Sequence, residues 1–218
     1  MLRLYDYLPS QNGYKIRMLL AELGQAWKTI PLEIFRGDSQ HPEFLAKNPA
    51  GAVPVLELES GETIAESSAI LWYLAETNGF LPQSAIGRAK TQQWLSFEQY
   101  YVEPTIGSLR FWTLTGRLQQ NQALLAGKRA AGSRALAALE RHLALSSFIV
   151  AEGYGIADMA VFAYSHLAQD AGFDLAPYPA FRAWIERVKQ RAKALPPVYP
   201  YTPDAHAAPP APEPRPPM

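Results

Sequence analysis

The run Gly51-Ala52-Val53-Pro54-Val55-Leu56 constrains this chain more than any other stretch. It reads as a strand, yet it carries a proline between two valines. Proline has no N–H to give a ladder, so a central strand excludes it from its interior. Two arrangements accommodate it. Pro54 can open an edge strand, or the Val53–Pro54 bond can be cis, which is far less costly before proline than elsewhere. In the second case the Val53 N–H and C=O turn away from the sheet, free to pair with an extended peptide-like ligand by strand addition. Ten residues on stands Glu66-Ser67-Ser68, between a short apolar strand and a helix. A helix start offers unpaired N–H donors and positive potential to a carboxylate, although a serine there is also an ordinary N-cap.

The flanking sequence places this run in a mixed fold. Leu2–Tyr5 reads as a strand and Leu8–Gly13 as a turn. Ile16, Leu19, Leu20 and Leu23 then recur at helical spacing, and Gly24 ends the helix. Trp27–Leu32 reads as a second strand, parallel to the first by the logic of a βαβ unit. His41–Leu45 is expected to make one helical turn, and Val55–Glu59 and Glu62–Ile64 a hairpin. A helix from about Ser67 to Glu76 follows. Residues 1–78 thus read β-α-β-α-β-β-α.

After Asn78-Gly79-Phe80-Leu81-Pro82 the period is helical almost throughout. Pro104 is expected to kink or split the run from Arg88 to Trp112. Arg117–Leu145 is rich in good helix formers, Met159–Ala168 forms an apolar helix, and Pro179 opens a last helix ending near Leu195. The expected organisation is an α/β unit over 1–78, an all-helical unit over 86–198, and a tail over 199–218 that is extended or disordered. From Tyr201 to the end the tail has seven prolines in 18 residues.

Composition excludes several functions. Lys+Arg and Asp+Glu number 20 each, which speaks against a nucleic-acid partner, since phosphate binding rests on a basic surface. No apolar run reaches the ~18 residues that a transmembrane helix requires. The start, Met1-Leu2-Arg3-Leu4, has no signal-peptide pattern, so a cytoplasmic location is expected. There is no cysteine, which removes disulfides, a protein thiolate nucleophile and cysteine metal sites.

Asn48-Pro49-x-Gly51-x-Val53-Pro54-Val55-Leu56, then Glu66-Ser67-x-Ala69-Ile70-x-x-Tyr73-Leu74, then Tyr154-Gly155-Ile156-Ala157-Asp158 together resemble the cytosolic glutathione S-transferases. Tyr5 through Lys15-Ile16-Arg17 and Phe97-Glu98-Gln99-Tyr100 are similar to bacterial members. The resemblance spans residues 2–198. It implies a thioredoxin-like N-terminal domain that binds glutathione, a C-terminal helical bundle, a homodimer and no metal. The implied reaction is attack by the glutathione thiolate on an apolar electrophile. A thiol has a pKa near ~8.5, so the protein must favour the anion with a hydrogen-bond donor and the positive end of a helix.

By the same resemblance Ser10 is the hydroxyl that meets the thiol, Asn12 a second donor, and Tyr7 the alternative. Ser10 and Asn12 also suit plain turn chemistry. Val53, beside Pro54, pairs with the cysteinyl backbone. Glu66 accepts from the γ-glutamyl ammonium, and Ser67 with its helix start binds the γ-glutamyl carboxylate. The glycine end departs from the pattern: Ala52 stands where the family often has a Lys or Arg, which leaves Gln40 as the candidate contact. Gly155 stands where the helix start prefers Ser or Thr. Tyr100, Tyr101, Arg110 and Trp112 are candidates for the electrophile pocket, but aromatic residues at this spacing are more often core or interface. Other readings are a non-catalytic binding or regulatory module on the same fold and a glutathione-dependent isomerase or dehalogenase. The loop around Ser10 lacks the Ser-Ser-Cys run of the maleylacetoacetate isomerases.

Overall fold

A computed structural model describes residues 1–203. Its N-terminal part is built on a four-stranded sheet. β1 (Leu2–Asp6) leads through α1 (Gln11–Leu23) to β2 (Trp27–Pro31), which is parallel to β1. Two short 3-10 turns and the single turn α2 (Pro42–Leu45) follow. β3 (Val55–Glu57) runs antiparallel to β1 and pairs with β4 (Thr63–Ala65) as a hairpin; α3 (Ser67–Ala75) completes the unit. The strand order is β2-β1-β3-β4. This is a thioredoxin-like arrangement, with the element order that the periodicities predict.

β3 lies between β1 and β4, so the edge-strand explanation of Pro54 is wrong. The Val53–Pro54 bond is cis, and Pro54 is buried just ahead of the strand, outside the ladder.

The C-terminal part is helical: α4 (Ala85–Phe97), α5 (Ser108–Leu114), α6 (Gln122–Leu143), α7 (Ile156–Ser165) and α8 (Pro179–Arg191). Pro104 does not interrupt the run from α4 to α5, which stays helical throughout. The chain widens there into a π-helical segment, Glu98–Gly107. Pro104 has no N–H to give the carbonyl four residues back, and at the end of the segment the Ser108 N–H reaches five residues back, to the Glu103 carbonyl.

α7 is buried along its whole length, as its nearly unbroken apolar sequence requires. One hydrophobic core runs through both parts, from Leu4, Ile16 and Leu20 to Met159, Phe162 and Trp184.

The start of α7 is held by Asp158. Its carboxylate accepts from the Gly155 N–H (3.2 Å), the Ile149 N–H (2.9 Å) and the Trp184 indole (2.8 Å). Burial nonetheless pushes its pKa up to about 6, against the pull of these donors. The structure also explains Gly155. A Cβ there would lie 2.7 Å from the Phe80 carbonyl oxygen, so the linker backbone occupies the space a serine or threonine would need.

Residues 199–203 form no regular element, but they pack against both parts of the molecule. The Arg17 guanidinium lies 5.6 Å from the Tyr199 ring, and Thr202 bonds to Tyr7 and Glu33. The rest of the expected tail lies outside the described residues.

Candidate active site

β1 ends in the buried Asp6, which pairs with Arg17 of α1. Burial outweighs the guanidinium and raises the Asp6 pKa to about 6. Arg17 also donates to the Leu8 carbonyl (2.9 Å), so one buried pair ties the strand, the turn and the helix together. The first turn of α1 sits directly on Asp6: a Cβ on Gly13 would fall 1.8 Å from the Asp6 carboxylate. The turn is thereby fixed, and Ser10 stands at its end as the residue before α1. Its N–H bonds to the Tyr7 carbonyl (2.7 Å) and its own carbonyl accepts from Tyr14 (3.0 Å). Its side chain does not cap the helix.

Ser10 opens onto a cavity of about 240 Å³ that Tyr7, Asn12, Val53, Glu103, Phe111, Tyr164 and Tyr201 also line. Both sequence candidates for thiol contact and Val53 therefore share one cavity, at the junction of sheet and helices. Tyr7, the alternative donor, lines it as well. Its hydroxyl, however, is bonded to Thr202, through Oγ1 at 2.8 Å and N–H at 3.1 Å.

Glu66 and Ser67 precede and open α3. Glu66 is exposed and has φ 67° and ψ 117°, the one non-glycine residue with positive φ among the described residues. Such a conformation costs a side-chain-bearing residue roughly 1–3 kcal/mol and clusters at ligand sites. Glu66 lines a separate, larger groove of about 710 Å³ between α3 and α4, with Trp72, Tyr73 and Gln99. The two cavities are linked by side chains. Ser67 Oγ donates to Asn12 Oδ1 (3.0 Å), and Gln99 Nε2 reaches the same oxygen at 3.4 Å. The Ser67 hydroxyl is thus engaged with Asn12. Gln40 lines neither cavity; it donates to the Gly51 carbonyl (3.3 Å) and to Ser39 (3.4 Å).

Beneath Asn12 lies a polar layer whose roles the sequence reading does not assign. Lys15 and Glu98 are fully buried and 2.6 Å apart. Glu103 accepts from Asn12 Nδ2 (3.2 Å) and from the Tyr164 hydroxyl (3.4 Å). Burial and the two nearby carboxylates push the Tyr164 pKa well above its ordinary value, so the phenol stays protonated. Of the aromatic candidates, Tyr100 and Tyr101 are exposed. Arg110 pairs with Asp170 (3.0 Å), and its guanidinium lies 5.5 Å from the Tyr201 ring. Trp112 lies under Lys128. The cavity wall comes instead from Phe111, the residue between them, and from Tyr201 of the tail. No group of three or more His, Cys, Asp or Glu that could hold a metal occurs among the described residues. Nor is any of their helices long and apolar enough to cross a membrane.

A thioredoxin-like sheet whose first helix starts against a helical second domain, with hydroxyl and amide donors in the junction, defines a two-domain transferase class. Comparison with known proteins agrees. Residues 9–77 match the model of the glutathione S-transferase N-terminal domain and residues 122–187 that of the C-terminal domain. A crystal structure of a glutathione S-transferase from Pseudomonas fluorescens Pf-5 superposes with a TM-score of 0.87 at 40% identity, over 89% of this chain and 98% of that one. The disulfide-bond oxidoreductase YfcG of Escherichia coli K12 is 31% identical over 198 residues, 88% of this chain and 91% of the relative. A glutathione transferase from Burkholderia graminis, solved with two glutathione molecules bound per subunit, aligns at 27% identity with a TM-score of 0.75, over 87% of this chain and 84% of that one. The chain belongs to the glutathione S-transferase family.

Proposed function

We propose that this protein binds glutathione and holds its thiol as the thiolate for attack on an apolar electrophile. Residues 1–78 bind glutathione, and residues 86–198 supply the wall for the second substrate. The observation that carries this reading is the shared cavity: Ser10, whose hydroxyl is spared from capping α1, and Asn12 line the same space as Val53. Both groups are hydrogen-bond donors, and donors favour the charged form of an acceptor. The start of α1 adds positive potential. Glutathione lies extended from Val53, beside Pro54, toward the start of α3. Glu66 accepts from its ammonium and the free N–H groups around Ser67 bind its carboxylate. With the Ser67 hydroxyl engaged by Asn12, this carboxylate contact falls to backbone. Gln40, already turned toward Gly51, is the contact left for the glycine end.

In the transfer step the thiol proton leaves to solvent, a sulfur–carbon bond forms, and the leaving group departs or the electrophile's double bond takes up a proton. Exposed Tyr73, Tyr100 and Tyr101 supply the surface for a homodimer, and the cytoplasm is the proposed location.

Likeness to the disulfide-bond oxidoreductase favours a second reading. Here two glutathione thiols reduce a bound disulfide, giving oxidised glutathione and two thiols, with no protein cysteine taking part.

The test is calorimetric titration of the protein with glutathione, with the thiolate absorption followed against pH. Binding with a lowered thiol pKa supports thiolate chemistry. Binding without a shift makes the protein a glutathione-binding module, and no binding at millimolar ligand removes glutathione from the reading. Initial rates with an aryl halide and with a small organic disulfide then separate transfer from reduction.

A further inference from the structure

The Lys15 ammonium, fully buried under the first turn of α1, makes three polar contacts: Glu98 Oε2 at 2.6 Å, Asn12 Oδ1 at 2.7 Å and Ser67 Oγ at 3.4 Å. It also lies 5.2 Å from the centre of the Tyr164 ring. An ammonium offers donors only. The atom of the Asn12 amide that faces it must therefore be the oxygen. Ser67 and Gln99 donate to that same oxygen, which leaves Oδ1 engaged by the interior. The Nδ2 group is turned the other way. One of its hydrogens goes to Glu103, and the second makes no hydrogen bond among the described residues.

We propose that Lys15 is a positioning residue: its buried charge fixes the Asn12 amide with its oxygen inward and its NH2 toward the cavity it shares with Ser10, and Glu98 is the counter-ion that keeps Lys15 in place. This rests on the reading of that cavity as the thiolate site. An amide free to rotate would present oxygen to the thiolate for part of the time, and the repulsion would favour the protonated thiol.

Stability alone does not account for the pair. The Glu98 Oε1 atom is buried without a partner, and burial raises the pKa of its carboxyl despite Lys15. Buried ion pairs of this kind are often replaceable by apolar residues without loss of stability.

That property supplies the test. In Lys15→Met/Glu98→Met both charges are removed together and the interior stays filled. Urea unfolding is expected to match the wild type. S-methylglutathione, which has no thiol to ionise, is expected to bind within about twofold of the wild type, and the thiol pKa of bound glutathione to rise by about one unit or more, a loss of thiolate of about tenfold at pH below the wild-type thiol pKa. A thiol pKa as low as the wild type's in this variant overturns the proposal alone. A parallel loss of S-methylglutathione binding also overturns it, because Lys15 would then shape the whole site. An unshifted thiol in the wild type overturns the thiolate reading and the proposal with it.

If the double variant fails to fold, the single variants discriminate. Lys15→Met is expected to raise the thiol pKa, whereas Glu98→Gln, whose amide oxygen still accepts from the ammonium in place of Glu98 Oε2, leaves Lys15 on Asn12 and keeps it low. Equal effects from both would show a purely structural pair.

Discussion

Replacing Ser10 with alanine separates chemistry from folding at this site. The backbone of Ser10 carries the turn, through its bonds with Tyr7 and Tyr14, and alanine keeps both. The hydroxyl caps nothing, so the usual ~1 kcal/mol loss of an N-cap side chain does not apply, and unfolding is expected to shift by no more than about 0.5 kcal/mol. The thiolate loses one hydrogen bond to a charged acceptor, worth about 1.5–3 kcal/mol. At 1.36 kcal/mol per pKa unit this is a rise of about one to two units in the bound thiol. Asn12 remains as the second donor, so the shift should fall short of full return to free glutathione. The assay is the thiolate band against pH in the saturated complex, together with kcat/KM for an aryl halide across the same range. At pH below the wild-type thiol pKa, kcat/KM should drop by about ten- to a hundredfold, and it should recover as pH rises past the new pKa. An unmoved thiol pKa, or a large loss of stability in its place, would refute the reasoning.

Three further outcomes follow from the geometry. Gly155→Ser supplies the N-cap residue the helix start ordinarily prefers, yet its Cβ would meet the Phe80 carbonyl at 2.7 Å; urea denaturation should show a loss of about 1–3 kcal/mol, as overpacking gives. His166 is stacked 4.1 Å from Phe162, and burial, with Arg110 and Lys189 nearby, lowers its pKa to about 4. The folded state thus favours the neutral ring. Its contribution, about 3 kcal/mol at ~1.36 kcal/mol per unit, is fully present above pH 6.5 and lost as pH falls through 4. Asp6 and Asp158, both raised to about 6, contribute in the opposite sense over part of this range. The comparison of wild type with His166→Phe isolates the histidine, and the stability difference between them should shrink or turn in favour of the variant as pH falls from 6.5 to 4. Tyr201→Ala removes a wall that packs on Tyr7 and Phe111 with ring centres 6.2 and 5.3 Å away; the KM for the second substrate should rise several-fold while S-methylglutathione affinity, read by calorimetry, stays put.

Much of the sheet half was legible because its signals are local. A proline between valines, a glycine-ended helix and a Glu-Ser pair before a helix each have a meaning within a few residues of themselves, and Ser10, Asn12 and Val53 do line one cavity. The helical half was legible as helices but not as a site. Tyr201 sits in a stretch whose proline content denies it regular structure, and composition says nothing of a ring that packs across a cavity. The aromatic candidates were read at helical spacing, which does not tell a cavity wall from an exposed face; Phe111, between Arg110 and Trp112, is the one that lines the cavity.

The layer beneath Asn12 was hidden for a sharper reason. Its partners are far apart in the chain, Lys15 from Glu98 by 83 residues and Asn12 from Glu103 by 91. The spacing of the two glutamates also misleads. Five residues apart on an α-helix, side chains point about 140° away from each other, so Glu98 and Glu103 read as belonging to different faces. In the π-helical segment the turn is wider, and residues five apart are brought toward the same face. Glu98 then meets Lys15 while Glu103 meets Asn12, both on the side of α1. The proline that looked like a break in the helix lies inside the segment where this widening occurs. It withholds the N–H that would have continued the tighter ladder.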